Sequence, residues 1–240
     1  MNSSNQKHDR KRALVTGGNK GIGFAICQGL LEAGFEVILA ARSLDKAKAA
    51  AQQLKPTESL RVLELDVTDD ESIQRAATQL SQEIPHLDVL IDNAGIYPDE
   101  GVNILTISRE LLMKTMDTNA FSAVRVTQAF LPLLTKAPAT AKVINMSSGL
   151  GQLQGLSADI PSYCLSKLAM NGASIMLAEA LRSQGIAVYA MSPGWVKTDM
   201  GGEAAPRTPA QGADTAIWLA TDATLEESGK FFSDRQVAAY

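Results

Sequence analysis

The stretch ALVTGGNKGIG, residues 13–23, joins a short apolar run to a cluster of glycines. The apolar run at 13–17 has the length and composition of a buried strand. Beyond the first glycines, apolar side chains that include Ile22 and Ile26 recur at helical spacing, which predicts a helix over 19–33. The stretch therefore predicts a strand, a tight turn and a helix in direct succession.

The same alternation continues along the chain. Further apolar runs of strand character lie at 37–41, 60–67, 87–95, 142–148 and 186–194, with helical patterns between them. Because parallel strands need crossover connections, this alternation predicts an α/β fold: a single-domain, Rossmann-type, doubly wound parallel sheet with helices on both faces. Such sheets bind ligands beyond the carboxyl ends of their strands, so we expect the functional residues in the loops that follow the strands.

Bulk properties narrow the class of protein. The 240 residues contain no linker or repeat, so we expect a flexible polar tail over 1–11 and one catalytic domain over 12–240. A net charge of −4 argues against a nucleic-acid-binding surface. No apolar segment resembles a signal peptide or a membrane span, and two distant cysteines, Cys27 and Cys164, are typical of free thiols in a reducing compartment. These features predict a cytoplasmic protein, and two histidines with two cysteines offer no recognisable zinc site.

The glycines have separate physical roles in such a turn. Gly17 permits the sharp change of direction, Gly21 lets the backbone approach a pyrophosphate, and Gly23 lets the helix pack on the strand. The N-terminus of the helix attracts an anion. A glycine-rich turn without a ligand is the alternative, but the strand-turn-helix setting favours a dinucleotide site.

The end of the second predicted strand indicates which dinucleotide binds. A site for NAD usually has an acid there, about twenty positions after the glycines, to read the 2′-hydroxyl. This chain has Arg42 instead, and Lys20 lies within the glycine loop. Two cations suit a 2′-phosphate, so we predict NADPH/NADP⁺ as the cofactor, with Lys20 facing that phosphate. Two solvated surface cations are the alternative.

Tyr163 and Lys167 stand four residues apart, which places a phenol above an ammonium on one helical face. Hydride addition to a carbonyl leaves an alkoxide that needs a hydrogen-bond donor and a proton. A free tyrosine has a pKa of about 10, and a nearby cation lowers it. We therefore expect Lys167 to lower the pKa of Tyr163 and so to make it an efficient acid.

These motifs together resemble the classical short-chain dehydrogenases/reductases. The spacing TGxxxGxG at 16–23, Asn-Ala-Gly at 93–95, Ser148 before the tyrosine, and PGxxxT at 193–198 all match the family pattern, and SPGWVKTDMGG at 192–202 is similar to its carbonyl-reductase branch. The resemblance implies a catalytic set of Asn119, Ser148, Tyr163 and Lys167. It also implies a cofactor site made of Gly17, Asn19, Lys20, Gly21, Ile22, Gly23, Arg42, Asp66, Val67, Asn93, Ala94, Gly95, Tyr163, Lys167, Pro193, Gly194, Val196 and Thr198.

The resemblance also implies a role for each catalytic residue. Tyr163 is the general acid, Ser148, the second serine of its pair, polarises the carbonyl, and Asn119 holds a proton-relay water. Lys167 bonds the nicotinamide ribose as well. Ser148, Leu150, Tyr163 and Trp195 are the expected substrate-binding residues.

The function that follows is NADPH-dependent reduction of an uncharged ketone, aldehyde or quinone. An NADP-dependent alcohol dehydrogenase and a 3-oxoacyl-thioester reductase use the same residues and stay open. A protein that senses NADPH without turnover is an alternative from another class. Long apolar-faced helices predicted at 108–131 and 161–183 leave a monomer and a homodimer both open.

Overall fold

A computed structural model describes residues 10–54 and 58–240, and the sheet in this part of the chain has eight strands. The strands are β1 (Arg12–Val15), β2 (Glu36–Ala41), β3 (Leu60–Glu64), β4 (Val89–Asp92), β5 (Ala141–Met146), β6 (Ile186–Ser192), β7 (Phe231–Ser233) and β8 (Gln236–Ala238). Their order across the sheet is β3-β2-β1-β4-β5-β6-β7-β8. The strands β2 and β3 follow on one side of β1, whereas β4 and the later strands follow on its other side. Doubly wound sheets form a binding crevice at this reversal of strand order, between β1 and β4.

Helices cover both faces of this sheet. They are α1 (Gly21–Glu32), α2 (Leu44–Gln53), α3 (Asp70–Glu83), α4 (Arg109–Met116), α5 (Ser122–Leu134), α6 (Pro161–Leu181) and α7 (Pro209–Thr221). A π-helical turn at Asp117–Phe121 joins α4 to α5. The single helix predicted over 108–131 is therefore two helices with a π turn between them, and such turns are frequent at functional sites.

The sheet has a hydrophobic core on each face, and neighbouring residues of one strand contribute to opposite cores. Val15 and its neighbours on β2 pack with α1, α2 and α7 on one face, whereas Leu14 packs with α3, α5 and α6 on the other. Both residues are fully buried. Burial of both faces explains why the strand sequences are continuously apolar rather than alternating.

The predicted fold is confirmed, with two corrections at its edge. The sequence predicted only parallel strands, but β8 pairs antiparallel with β7. Neither of these strands was predicted, because three-residue strands carry too little pattern to read. Asp234 and Arg235 between them both have positive φ, 50° and 61°, which suits a tight hairpin turn.

Residues 1–9 of the predicted tail lie outside the described residues, and the boundary at residue 12 stays a prediction. In the described part of the chain no helix combines the length and the hydropathy that a bilayer span needs.

Candidate active site

A cavity of about 1050 Å³ lies beyond the carboxyl ends of the central strands. It is bordered by the loops that follow β1, β2, β3, β4 and β6. Its lining includes these predicted cofactor residues: Gly17, Asn19, Lys20, Gly21, Ile22, Gly23, Arg42, Asp66, Val67, Asn93, Ala94, Gly95, Tyr163, Lys167, Pro193 and Thr198. The structure therefore brings residues from across the whole sequence to one site.

The glycine loop leaves no room for side chains. A Cβ added at Gly23 would lie 2.4 Å from the carbonyl oxygen of Gly17 and 2.5 Å from Nδ2 of Asn93. The Asn93 amide is held in turn, since it donates to the Thr16 carbonyl at 2.9 Å. Gly17 and Gly21 have φ values of +63° and +56°, which other residues rarely adopt. The loop is thus a rigid backbone cradle at the N-terminus of α1.

One end of the cavity carries positive charge. Lys20, Arg42 and Lys46 all line it, and Ser43 begins α2 without a side-chain cap. Lys20 is also bound elsewhere, because its Nζ donates to the Asp199 carboxylate at 2.6 Å. The ion pair between Lys20 and Asp199 was not predicted, because Asp199 belongs to the segment after β6.

Asp66 makes the turn at the end of β3. Its carboxylate accepts hydrogen bonds from both the backbone N–H and the hydroxyl of Thr68, at 3.0 and 2.8 Å. Asp66 and Val67 both line the cavity. Asp66 therefore forms this turn and also lies beside the predicted cofactor site.

Gly194 and Val196 are absent from the cavity lining, in contrast to the prediction for the cofactor site. Val196 is 4% exposed, and a Cβ at Gly212 would lie 2.6 Å from its side chain. Gly194 has φ +74° and lies against the side chain of Arg207, whose guanidinium donates to the Pro193 carbonyl at 3.1 Å. These two residues fix the path of the segment after β6, and any contact with a cofactor is left to their backbone atoms.

Three predicted catalytic residues meet at the start of α6. The Nζ of Lys167 lies 5.6 Å from the centroid of the Tyr163 ring and donates to the Met146 carbonyl at 2.6 Å. The Ser148 side chain hydrogen-bonds to the Tyr163 phenol. Ser147 points elsewhere, because its hydroxyl lies 2.6 Å from Oδ1 of the buried Asn171. The geometry therefore places Ser148, and not Ser147, beside the phenol.

Burial shifts the pKa values of both Tyr163 and Lys167. Desolvation raises the pKa of Tyr163 to about 12; the hydrogen bond with Ser148 lowers this pKa, while Cys164 and Tyr97 raise it further. Burial also lowers the pKa of Lys167, to about 8. The prediction that Lys167 makes Tyr163 more acidic is therefore wrong, because desolvation of the phenol dominates its pKa and Lys167 is not among the groups that shift it.

Asn119 lies in the π-helical turn and is fully buried, so it is not an exposed helix residue. Its side-chain amide accepts from the Ile96 N–H at 2.8 Å and donates to the Ile96 carbonyl at 2.9 Å. It also donates to the Ser166 hydroxyl at 3.0 Å. Asn119 thus ties the loop after β4 to α6, and its role in proton relay stays a prediction.

Of the four predicted substrate residues, Tyr163 lines the cavity. Leu150 and Trp195 do not line the cavity, and Trp195 is 57% exposed, with its indole N–H donating to the Gly201 carbonyl at 2.8 Å. Tyr97, in the loop after β4, packs edge-on against the Tyr163 ring with centroids 5.1 Å apart. Asp99, two residues further on, was not predicted and accepts hydrogen bonds from the start of α6.

Cys27 and Cys164 are buried and free, and burial raises the pKa of each thiol above its ordinary value. Among the described residues there is no group of three or more His, Cys, Asp or Glu side chains that is able to hold a metal ion.

Comparison with known proteins places this site in a family. A family model described as short chain dehydrogenase matches residues 11–208. Carbonyl reductase (NADPH) 1 of Sus scrofa is 32% identical over an alignment 277 residues long, which covers 95% of this chain and 93% of the relative. A short-chain dehydrogenase of Penicillium roqueforti, anuI, is 34% identical over 92% of this chain and 93% of its own length.

A solved structure agrees with this assignment. The NADPH-bound carbonyl reductase from chicken fatty liver superposes with a TM-score of 0.89 at 30% identity, and the alignment covers 96% of this chain and 99% of the other. The family model and the relatives each cover most of the sequence, which confirms the resemblance seen in the motifs. The protein belongs to the short-chain dehydrogenase family and is similar to its carbonyl reductases.

Proposed function

We propose that this protein reduces an uncharged ketone, aldehyde or quinone with NADPH. The observation that carries the proposal is that Tyr163 and Lys167 line the same cavity as the glycine cradle and its two neighbouring cations, with Ser148 beside the Tyr163 phenol. The relatives named carbonyl reductase support the same chemistry.

The residues of the cavity fit the cofactor. The crowded position at Gly23 leaves only backbone at the N-terminus of α1, which suits a pyrophosphate. Lys20 and Arg42, which line the cavity beside this cradle, suit a 2′-phosphate, and no acid stands where an NAD-binding site has one. When bound, NADPH supplies the hydride.

The proton comes from the chain itself. With a pKa of about 12, the Tyr163 phenol keeps its proton at neutral pH and is able to give it to an alkoxide, which is far more basic. The Ser148 hydroxyl, bonded to the same phenol, is placed to donate to the carbonyl oxygen. A phenol that holds its proton favours reduction over the oxidative direction of an alcohol dehydrogenase.

The apolar side chains at the site favour an uncharged substrate. Tyr97, 39% exposed, packs against the Tyr163 ring, and Met200, 45% exposed, lines the cavity, so both provide apolar surface at the site. The nearby Lys197 is already paired with Glu203 at 2.7 Å. Apolar surface of this kind suits small aromatic or aliphatic carbonyl compounds.

Substitution of the acid tests the reaction. Tyr163→Phe is expected to lower kcat for a panel of ketones and quinones at least about a hundredfold, since it removes the proton donor. NADPH affinity, measured by fluorescence titration, should change less than twofold. Tyr189→Phe is the matched control, because that hydroxyl bonds only the Thr224 carbonyl, away from the site. Unchanged turnover in Tyr163→Phe would refute the catalytic assignment, whereas NADPH binding by the unmutated protein without any turnover would leave the sensor alternative.

Substitution of Arg42 tests the cofactor. A charge-assisted hydrogen bond contributes about 1.5–3 kcal/mol, so Arg42→Asp is expected to weaken NADPH binding about tenfold or more. NADH has no 2′-phosphate and should bind about as before. Arg75→Asp, on the exposed surface of α3, is the control for a change of net charge. Equal affinity of the unmutated protein for NADPH and NADH would contradict the proposal.

Two further parts of the proposal concern the setting of the enzyme. The buried free thiols Cys27 and Cys164 support a cytoplasmic location. The oligomeric state is proposed to be a monomer or a homodimer, and sedimentation at several protein concentrations distinguishes them.

A further inference from the structure

The carboxylate of Asp99 is buried at the start of the helix that carries the catalytic tyrosine. Asp99 is only 2% exposed. One oxygen accepts from the Ser162 N–H at 2.9 Å, and the other accepts from the Tyr163 N–H and from the Ser162 hydroxyl, each at 2.9 Å. Asp99 thus binds the backbone of Tyr163 itself.

Helix α6 has no cap of its own. Its N-cap residue, Ile160, has no polar side chain, and Pro161 at the first helical position has no N–H to offer. The first free donors of the helix are therefore the N–H groups of Ser162 and Tyr163, and Asp99 takes both. A carboxylate is favoured at this end of a helix because of the helix dipole.

The charge of Asp99 has no cationic partner. Within residues 10–54 and 58–240 no Lys, Arg or His forms an ion pair with it, so the α6 N-terminus is what stabilises the buried carboxylate. A buried charge matched only by these donors fixes the relative position of two segments strictly, since separation of the segments would leave the charge unpaired.

The segment fixed in this way also carries Tyr97. The Tyr97 ring meets the Tyr163 ring edge-on, at an interplanar angle of 75°. Burial raises the pKa of Tyr97, and the charge of Asp99 raises it further, so Tyr97 remains a neutral phenol. The loop after β4 and the start of α6 therefore present two aromatic rings in edge-to-face contact.

We propose that Asp99 is a positioning residue that holds Tyr163 and Tyr97 in one geometry at the carbonyl site. The proposal rests on the proposed function, because it concerns the placement of the proton donor. Asp99 touches neither the substrate nor the cofactor cavity and acts only through α6 and the loop. A displacement of about 1 Å in a reacting group is enough to slow catalysis strongly.

The central test replaces Asp99 with asparagine, which keeps the shape but turns one acceptor oxygen into an N–H₂ group that faces N–H donors. Asp99→Asn is expected to lower kcat for carbonyl reduction at least about tenfold while the Kd for NADPH changes less than twofold. Hydrogen exchange of the peptide that contains residues 161–170 should become faster. Ser162→Ala removes the hydroxyl that bonds Asp99 and Thr115, each at 2.9 Å, but keeps both backbone donors to Asp99. It is expected to give a smaller loss of kcat in the same direction.

Ser108→Ala is the matched control. Ser108 caps α4 by accepting from the Leu111 N–H at 3.2 Å, so its loss also removes a cap but leaves α6 intact. It should lower the thermal midpoint without changing kcat or exchange in 161–170. Faster exchange with unchanged kcat in Asp99→Asn would show a helix cap only and overturn the proposal, as would unchanged kcat in both variants. If the unmutated protein reduces no carbonyl at all, the proposed function fails, and the exchange data alone show whether Asp99 holds α6.

Discussion

The crowding around Gly23 predicts that Gly23→Ala lowers the stability of the protein. A Cβ at this position would lie 2.4 Å from the Gly17 carbonyl oxygen and 2.5 Å from Nδ2 of Asn93. Both atoms are held, because Asn93 bonds to the Thr16 and Gly17 carbonyls. Relief of the clash requires movement of the whole loop. Overpacking of this kind destabilises by about 1–3 kcal/mol, whereas alanine in a helix gains at most about 1 kcal/mol over glycine.

Gly172→Ala is the matched control for Gly23→Ala. Gly172 lies inside α6, is exposed, and has no atom within 4 Å of an added Cβ. Its replacement is expected to stabilise the protein by about 0.8–1 kcal/mol, which raises the thermal midpoint by about 2–4 °C in a chain of this length. Gly23→Ala, at a net cost of up to about 2 kcal/mol, is expected to lower the midpoint by up to about 8 °C.

The assays are thermal unfolding followed by circular dichroism and NADPH titration followed by fluorescence. Gly23→Ala should also weaken NADPH binding, because the cradle moves, whereas Gly172→Ala should leave it unchanged. If Gly23→Ala matches the parent protein in both midpoint and affinity, the loop is not the rigid cradle inferred from its geometry, and the argument fails.

Three other outcomes follow from the structure. Ser148→Ala is expected to lower kcat about a hundredfold at unchanged stability. Ser147→Ala should instead lower the free energy of unfolding in urea by about 1–3 kcal/mol, because it leaves the buried amide oxygen of Asn171 unpaired. The reverse pattern would assign catalysis to Ser147. Burial raises the pKa of Asp92 well above its ordinary value, so the folded protein keeps a proton that the unfolded chain releases above about pH 4, and stability falls as the pH rises. Asp92→Asn should remove this loss, so urea midpoints of variant and parent should diverge between pH 5 and 8, and parallel profiles would contradict the reasoning. Asp199→Asn frees Lys20 from an exposed ion pair and is expected to tighten binding of NADPH, but not of NADH, by up to about fivefold at low salt; weaker binding would show instead that the pair closes the site.

The sequence determined the features that depend on neighbours along the chain. The cradle at 16–23 was readable because a strand, four glycines and a helix follow one another without interruption. The pairing of Tyr163 with Lys167 was readable because helical geometry alone brings residues four apart together. Alternation of apolar strands with helices likewise fixed the doubly wound sheet, which the structure and the family match both confirm.

The tertiary structure decided what depends on residues far apart in the chain. Asp199 pairs with Lys20 across 179 positions, and Asp99 caps Tyr163 across 64, so neither partner is visible in a local pattern. The pKa of Tyr163, about 12, follows from how deeply α6 and the loop after β4 bury the phenol, and spacing along one helix gives no measure of that depth. Charge and burial at the site are sums over groups from many segments, and only the folded arrangement of those segments sets them.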